Sequence, residues 1–328
     1  EGTWNVIPLI LEEVELPPSL DALVKLDATT KEEREKAIKR LLEELQKTVP
    51  HTSKLPPCPY PGMIPFSEDK RDLFFGRETL IGNIDRTLYK NNFITVIGAS
   101  GSGKSSLICA GFIPKLQNSS LFSQGEWLIC NKRPSEDPLQ ALDIDLKKIG
   151  LKTDSNYFDK AVDRLLNKQP KAERLLLVID QFEELFTLTI EEDILLFQKS
   201  LLHLAKNSKC YVIIAIRADF YGELIASPLW QIAKNNLLNV TPLDRKGLED
   251  AITKPAEKFG VFVDPLLVER LVSEAEGEPG ILPFIQETLF FFMASTGRMG
   301  KTIFTNKSLQ KDYRFARSNC ESCRSNIQ

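Results

Sequence analysis

An octapeptide at residues 98–105 constrains the fold of this chain more than any other feature. It reads Gly-Ala-Ser-Gly-Ser-Gly-Lys-Ser, which fits the phosphate-cradling pattern of a glycine, four free positions and Gly-Lys-Ser. The apolar, β-branched run 93–97 precedes it and predicts a buried parallel strand. The mostly apolar run 107–116 follows it and predicts a helix. Strand, glycine loop and helix therefore stand in the order that a phosphate site requires.

The residue types of this loop explain how it would hold a phosphate. Glycines let the backbone curl so that several N–H groups point at one anion, and the helix start adds its positive dipole end. In this pattern Lys104 reaches the β- and γ-phosphates, and the Ser105 hydroxyl ligates magnesium. The alternative is a glycine-rich turn without a ligand. The predicted nucleotide-binding residues of the loop are Gly98, Ala99, Ser100, Gly101, Ser102, Gly103, Lys104, Ser105 and Ser106.

A second motif, at 174–184, supplies carboxylates. Its apolar run ends in Asp180, as in strands that present a magnesium-binding carboxylate at their carboxyl edge. Glu183 or Glu184 then stands where a carboxylate orients an attacking water. The alternative is that these acids only cap the next helix, but the phosphate loop upstream favours the functional interpretation. We therefore expect a nucleotide with Mg as cofactors, with Ser105 and Asp180 as the metal ligands.

Composition limits the class of protein. The chain has 328 residues, enough for roughly two to three domains, and its 42% hydrophobic and 27% charged residues are typical of a globular protein. The formal net charge of −3 argues against a broad nucleic-acid surface, and no apolar stretch is long enough to predict a membrane span. The six cysteines are scattered along the chain, which is typical of reduced, buried thiols and not of a disulfide framework. We expect a cytoplasmic protein without a signal peptide.

The central and following regions of the chain differ in pattern. Strand and helix patterns alternate from 67 to 240, which predicts a parallel sheet flanked by helices, an α/β fold. The candidate strands are 93–97, 126–131, 174–179, 210–216 and 237–240. Only helical patterns follow, which predicts a small all-helical lid domain over 241–300. Its candidate helices are 244–258, 264–275 and 281–295.

The flanking regions carry less pattern. Residues 1–48 hold one strand pattern, 4–10, and one helix pattern, 30–47, which together are too little for a core. Six prolines in 49–66 indicate a stiff linker. The polar, aperiodic residues of 301–328 predict a disordered or truncated tail.

Seven short motifs follow one another between about residues 59 and 305. They are Pro59-Tyr60-Pro61-Gly62 with Pro65-Phe66, Phe74-Phe75-Gly76-Arg77-Glu78, Lys104-Ser105-Ser106-Leu107 with Ala110-Gly111, Asp180-Gln181-Phe182-Glu183-Glu184-Leu185-Phe186, Ile216-Arg217-Ala218-Asp219-Phe220-Tyr221-Gly222, Pro255-Ala256-Glu257-Lys258 and Gly280-Ile281-Leu282-Pro283. Together they resemble the STAND class of signal-transduction NTPases, and most closely its novel type-one branch. The resemblance supports a P-loop NTPase fold.

The resemblance also implies roles for single residues. Gly76 and Arg77 match a Gly-Arg-Glu motif that lies over the base. Pro283 matches a lid proline that packs on the adenine. Arg217 matches a sensor arginine near the γ-phosphate. Together with the two glutamates of the second motif, the catalytic candidates are therefore Glu183, Glu184 and Arg217.

The residues alone leave alternatives open for two of these roles. Arg217 directly follows a predicted strand, at the edge where ligands of parallel sheets gather, and a guanidinium there can grip phosphate oxygens. A surface salt bridge to Asp219 or Glu223 is the alternative. Pro283 fits equally well as the first-turn proline of a helix.

The first 48 residues resemble the C-terminal end of a TIR domain. The similarity lies in Val6-Ile7-Pro8-Leu9-Ile10, Leu16-Pro17-Pro18-Ser19-Leu20 and the helix pattern 30–47. In enzymatic TIR domains the NAD-cleaving glutamate lies upstream of this region, so the resemblance implies no such activity here.

The resemblance implies a molecular switch. Slow Mg-dependent ATP hydrolysis would drive a conformational change and homo-oligomerisation, with C-terminal sensor repeats or other signalling proteins as partners, and with no membrane or nucleic-acid partner. The alternative is a scaffold that holds ADP without turnover. Gln181 keeps that alternative open, because it directly follows Asp180, where many AAA-type ATPases place the catalytic glutamate. Whether the chain is an ATPase is left undecided by the sequence.

Overall fold

The computed structural model divides the chain into two units, Glu1–Pro56 and Pro57–Gln328. It describes residues 9–10, 26–27, 29–30, 33–38, 57–122, 125–134, 139–140, 144, 155–297 and 303–304. Most of the strand predicted at 4–10, of the helix predicted at 30–47 and of the tail predicted over 301–328 lies outside the described residues. Within that tail, Ile303–Phe304 is a strand.

Five parallel strands form the centre of the second unit. They are β1 (Phe93–Gly98), β2 (Glu126–Lys132), β3 (Ala172–Ile179), β4 (Cys210–Arg217) and β5 (Leu237–Asn239). Their order across the sheet is β2-β3-β4-β1-β5, so the carboxyl ends of β3, β4 and β1 lie side by side. The five strand predictions are confirmed to within two residues at each end.

Helices cover both faces of this sheet, which explains the unbroken apolar runs of its strands. On β3, Leu175, Leu177 and Ile179 join one buried cluster, whereas Leu176 and Val178 join a second cluster on the other face. This alternation follows from the two-residue period of a strand. The covering helices are α1 (Glu78–Lys90), α3 (Ser155–Lys168), α4 (Glu184–Leu188), α5 (Glu191–Leu204), α6 (Tyr221–Ala226) and α7 (Trp230–Ala233), together with the helix α2 described next.

The helix after the phosphate loop, α2, has three consecutive segments. It begins as an α-helix at Lys104–Ser106, continues as a π-helix over Leu107–Phe112 and ends as an α-helix at Ile113–Gln117. The predicted helix is therefore confirmed, but its π-helical middle is not visible in the apolar pattern. Such segments occur often at functional sites.

Three helices follow the sheet and carry their own buried cluster. They are α8 (Arg245–Lys258), α9 (Pro265–Ala275) and α10 (Leu282–Gly297). Asp244 and Asp264 cap α8 and α9, since their carboxylates accept backbone N–H groups of the first turn at 2.7 and 2.9 Å. The predicted all-helical unit differs in one detail. Strand β6 (Phe262–Val263) pairs in parallel with β7 (Ile303–Phe304), and both are too short for a periodic pattern to predict.

Residues 57–66, here called the strap, differ from the expected linker. The Tyr60 side chain is buried in the cluster of the three helices, and its hydroxyl donates to the backbone oxygen of Ile252 at 2.6 Å. The Phe66 N–H donates to the Ser106 hydroxyl oxygen at 3.0 Å. The prolines stiffen the strap, but Tyr60 and Phe66 bury large apolar surfaces that fix it to the rest of the unit.

The first unit contains a short parallel strand pair, Leu9–Ile10 with Leu26–Asp27, and a helical segment at 33–38. A capping box precedes this helical segment. The Glu33 N–H donates to the Thr30 hydroxyl at 3.2 Å, and the Thr30 N–H donates back to the Glu33 carboxylate at 3.3 Å. Across the described parts of both units, no helix is long and apolar enough to cross a membrane.

Candidate functional site

A cavity of about 250 Å³ opens at the carboxyl edge of the sheet, between the phosphate loop, the strap and the helices that follow the sheet. Most of the residues predicted for the site line it: Arg77, Ser100, Gly101, Gly103, Lys104, Ser105, Ser106, Asp180, Glu183, Arg217 and Pro283. Five predicted residues do not line it: Gly76, Gly98, Ala99, Ser102 and Glu184.

The Lys104 side chain folds back against the start of the phosphate loop. Its side chain is 9% exposed, and its ammonium group donates to the backbone oxygens of Gly98 and Ala99 at 2.8 and 2.9 Å. Burial lowers the pKa of Lys104, while the charges of Glu183 and Asp180 act to raise it. The loop thus presents a cation to the cavity beside two carboxylates, and an ammonium group has a third donor for a ligand.

The carboxylates reach the cavity through an unusual turn after β3. Asp180 directly follows β3, and its N–H donates to the Lys132 oxygen of β2. Gln181 has a φ of 53°, in the left-handed region that non-glycine residues rarely adopt. Its N–H donates to the Asp180 carboxylate at 3.0 Å, and the next N–H, of Phe182, donates to Ala215 of β4 at 2.8 Å. Backbone strain of this kind tends to occur at functional sites.

The same turn separates the two catalytic candidates. Glu183 lines the cavity, and its carboxylate accepts the backbone N–H of Arg217 at 3.2 Å. Glu184 begins α4 and is not part of the cavity lining. The geometry therefore favours Glu183 over Glu184 as the group beside the phosphate loop.

Arg217 combines the two alternatives that the sequence left open. It lines the cavity, and its Nε also donates to the Asp219 carboxylate at 3.2 Å. The guanidinium carbon lies 6.0 Å from the centre of the Phe220 ring. Exposed ion pairs of this kind contribute little to stability, and a guanidinium has five N–H donors. The pair with Asp219 therefore leaves donors for phosphate oxygens.

Arg77 is engaged in holding the phosphate loop. It is buried, and its guanidinium donates to the backbone oxygens of Thr241 at 2.7 Å and Ser102 at 3.2 Å. Burial lowers its pKa, and the nearby Asp244 acts to raise it. Arg77 therefore ties the loop to the connection that leads into α8, and it lines the cavity from that position.

The helices after the sheet touch the phosphate loop directly. Gly280 has a φ of 75°, and a Cβ added there would lie 2.6 Å from the Ser100 backbone oxygen. A Cβ added at Gly101 would lie 2.9 Å from the Gly280 oxygen. Only glycine allows this backbone approach. Pro283, in the first turn of α10, lines the cavity beside this contact, so its two interpretations are compatible.

Sequence reasoning missed the apolar end of the cavity as part of the site. Its residues come from separate segments of the chain: the strap, the residues before α1, the connection that leads into α8, and the helices α8 and α10. They are Gly62, Met63, Ile64, Pro65, Phe66, Leu73, Phe74, Phe75, Leu243, Ala251 and Leu282, with Gln286 as the polar exception and Gln181 at the other end. Six of those in the apolar end stand in motifs of the family resemblance, which assigns them no role in the site. A sequence signal that could have pointed to Gln286 is its position, because it is a polar residue inside the apolar run of α10.

This lining fits a nucleotide with magnesium. One end carries Lys104, Ser105 and Asp180, and the other end is apolar and aromatic, which suits a ligand with an anionic and a planar apolar part. The hydroxyl and carboxylate oxygens are ligands that magnesium prefers, and magnesium is typically held by one or two carboxylates together with substrate phosphates.

The parallel sheet, its strand order and the glycine loop ahead of α2 define a P-loop NTPase fold. The family model of the novel STAND NTPase 1 matches residues 59–308. The chain therefore belongs to the novel STAND NTPase 1 family, which confirms that part of the resemblance. The comparisons give no support to the TIR-like resemblance of the first 48 residues.

Solved structures resemble this chain to different degrees, and the first of the following three shares its fold. The Orc1 protein of Aeropyrum pernix, in complex with DNA, has a TM-score of 0.52 at 17% identity, over 76% of this chain and 66% of that chain. Drosophila ORC bound to DNA has a TM-score of 0.49 at 16% identity, over 86% of this chain and 73% of that chain. Cdc6p of Pyrobaculum aerophilum has a TM-score of 0.48 at 13% identity, over 73% of this chain and 67% of that chain. A comparison with curated proteins gives no match.

Proposed function

We propose that this chain is the nucleotide-binding module of a signal-transduction switch, which binds ATP or ADP with magnesium and hydrolyses ATP slowly. One observation carries the proposal. The cavity is lined both by the sheet edge and by the helices that follow it, and the two parts meet backbone to backbone at Gly280 and Ser100. A ligand in the cavity touches both parts, so a difference between ligands biases their relative arrangement.

The residues of the cavity have separate tasks in this proposal. Lys104 and the N–H groups of the loop bind the phosphates. Ser105 and Asp180 would hold magnesium, which would supply positive charge to neutralise the phosphate oxygens. Glu183 accepts a proton from the attacking water and orients it. Arg217 contacts the γ-phosphate and so distinguishes ATP from ADP.

A second candidate function, a scaffold that holds ADP without turnover, is favoured by two observations. The Glu183 carboxylate already accepts the Arg217 N–H, and Gln181 stands directly after Asp180. A carboxylate held in this way is less free to take up a water proton. In that case the nucleotide would stabilise the unit by mass action alone.

The wider assembly is also part of the proposal. The module would oligomerise with further copies when ATP is bound. An N-terminal TIR domain, of which residues 1–48 resemble the C-terminal end, would deliver the output, and sensor repeats or other signalling proteins would supply the input. We propose a cytoplasmic location for this assembly.

Hydrogen exchange with ADP and with ATP tests the switch. We expect both nucleotides to protect the phosphate loop, and ATP and ADP to differ in protection around Gly280 and in the strap. Arg217→Ala, the matched variant, should reduce that difference because it removes the γ-phosphate contact. Identical exchange patterns for bound ADP and bound ATP in the wild-type protein would contradict the switch and favour the scaffold.

A further inference from the structure

One polar side chain, Gln286, lies in the apolar end of the cavity. It follows Pro283 by three residues on α10, so the two share a face of the helix. Both line the cavity together with Phe74, Phe75 and Ala251. An apolar surface with a single polar group is the usual way in which a site fixes the orientation of a planar ligand.

The side-chain carbonyl oxygen of Gln286 is buried and has no hydrogen-bond partner within the described part of the chain. A buried acceptor without a partner is destabilising, and in a native protein it needs an explanation such as a missing ligand. The neighbouring polar groups do not supply a donor. Arg77 donates to Ser102 and Thr241, and the carboxylate of Glu287 accepts the N–H of Met63 at 2.9 Å.

We propose that Gln286 selects the base, with its carbonyl oxygen accepting a hydrogen bond from the 6-amino group of adenine. The inference rests on the proposed nucleotide-binding function and adds a specificity-determining residue to it. A glutamine amide pairs well with adenine, because it can accept from the amino group and donate to a ring nitrogen together. Guanine has a carbonyl oxygen at the corresponding position, so acceptor would face acceptor in the same pose.

The test removes the hydrogen bond from the protein and from the ligand in turn. Calorimetry compares ATP with purine riboside triphosphate, which lacks the 6-amino group, each with magnesium, on the wild-type protein and on Gln286→Leu. We expect the wild-type protein to bind ATP about tenfold more tightly than the analogue, and Gln286→Leu to bind the two equally. Leucine removes the unpaired oxygen at similar volume, so the ligand-free variant should unfold at the wild-type temperature or above it.

A second variant guards against loss of fold in the first. Gln286→Met also removes the acceptor and keeps an unbranched side chain of similar length, so it should likewise bind ATP and the analogue equally. The inference is overturned if the wild-type protein binds ATP and the analogue equally, or if Gln286→Leu keeps the full difference. Failure of the wild-type protein to bind either nucleotide contradicts the proposed function itself, and with it this inference.

Discussion

Glu183 and Glu184 are neighbours in the chain, but they stand in different surroundings. The left-handed Gln181 turns the backbone after Asp180, so Glu183 returns to the cavity while Glu184 starts α4. The sequence could not choose between the two acids, because the choice depends on one backbone dihedral that no residue pattern records. It did predict Lys104 and Asp180, since a loop and a strand end fix their places.

This difference leads to a prediction at the residue scale. Glu183→Gln should lower the rate of ATP hydrolysis by about a hundredfold and leave ATP affinity nearly unchanged, because a general base acts on water and not on the bound nucleotide. Glu184→Gln is the matched control and should hydrolyse ATP at close to the wild-type rate. Phosphate release and calorimetry measure the two quantities. Equal rates for Glu183→Gln and the wild-type protein would exclude Glu183 as the base.

At the scale of elements, the contact between the phosphate loop and the turn before α10 connects the two parts of the second unit. The strap adds a further connection, since Tyr60 bonds to Ile252 of α8 and Phe66 bonds to Ser106 of α2. The sequence predicted the strands and helices because their apolar periods are local. It did not predict the folded strap, because the partners of Tyr60 and Phe66 are distant in the chain.

Gly280→Ala tests the contact between loop and turn. The new Cβ would meet the Ser100 oxygen, and alanine is strained at a positive φ. We expect lower thermal stability and weaker ATP binding, with a loss of about 1–3 kcal/mol in the free energy of unfolding. Thermal unfolding with and without nucleotide measures both effects.

Gly277→Ala is the matched control for that variant. Gly277 has a φ of 80°, and a Cβ added there meets nothing within 4 Å. It therefore carries the backbone strain without the collision, and its ATP affinity should stay close to the wild-type value. If the two variants lose ATP affinity equally, the contact with Ser100 has no part in nucleotide binding.

At the scale of the whole molecule, the cavity belongs entirely to the second unit, and the chain enters that unit through the strap that lines the cavity. The sheet and the phosphate loop could be predicted from one octapeptide and the apolar runs of the strands, and the family from seven short motifs in a fixed order. The organisation of the first unit could not be predicted beyond one strand pattern and one helix pattern, because few of its residues follow an apolar period.

The central claim is that this cavity binds a nucleotide through the phosphate loop. Calorimetric titration of ATP with magnesium into the wild-type protein and into Lys104→Ala tests it most directly. A charge-assisted contact contributes about 1.5–3 kcal/mol, so the variant should bind ATP about tenfold to a hundredfold more weakly while it stays folded by circular dichroism. Unchanged affinity in a folded Lys104→Ala protein, or no binding by the wild-type protein, would contradict the account.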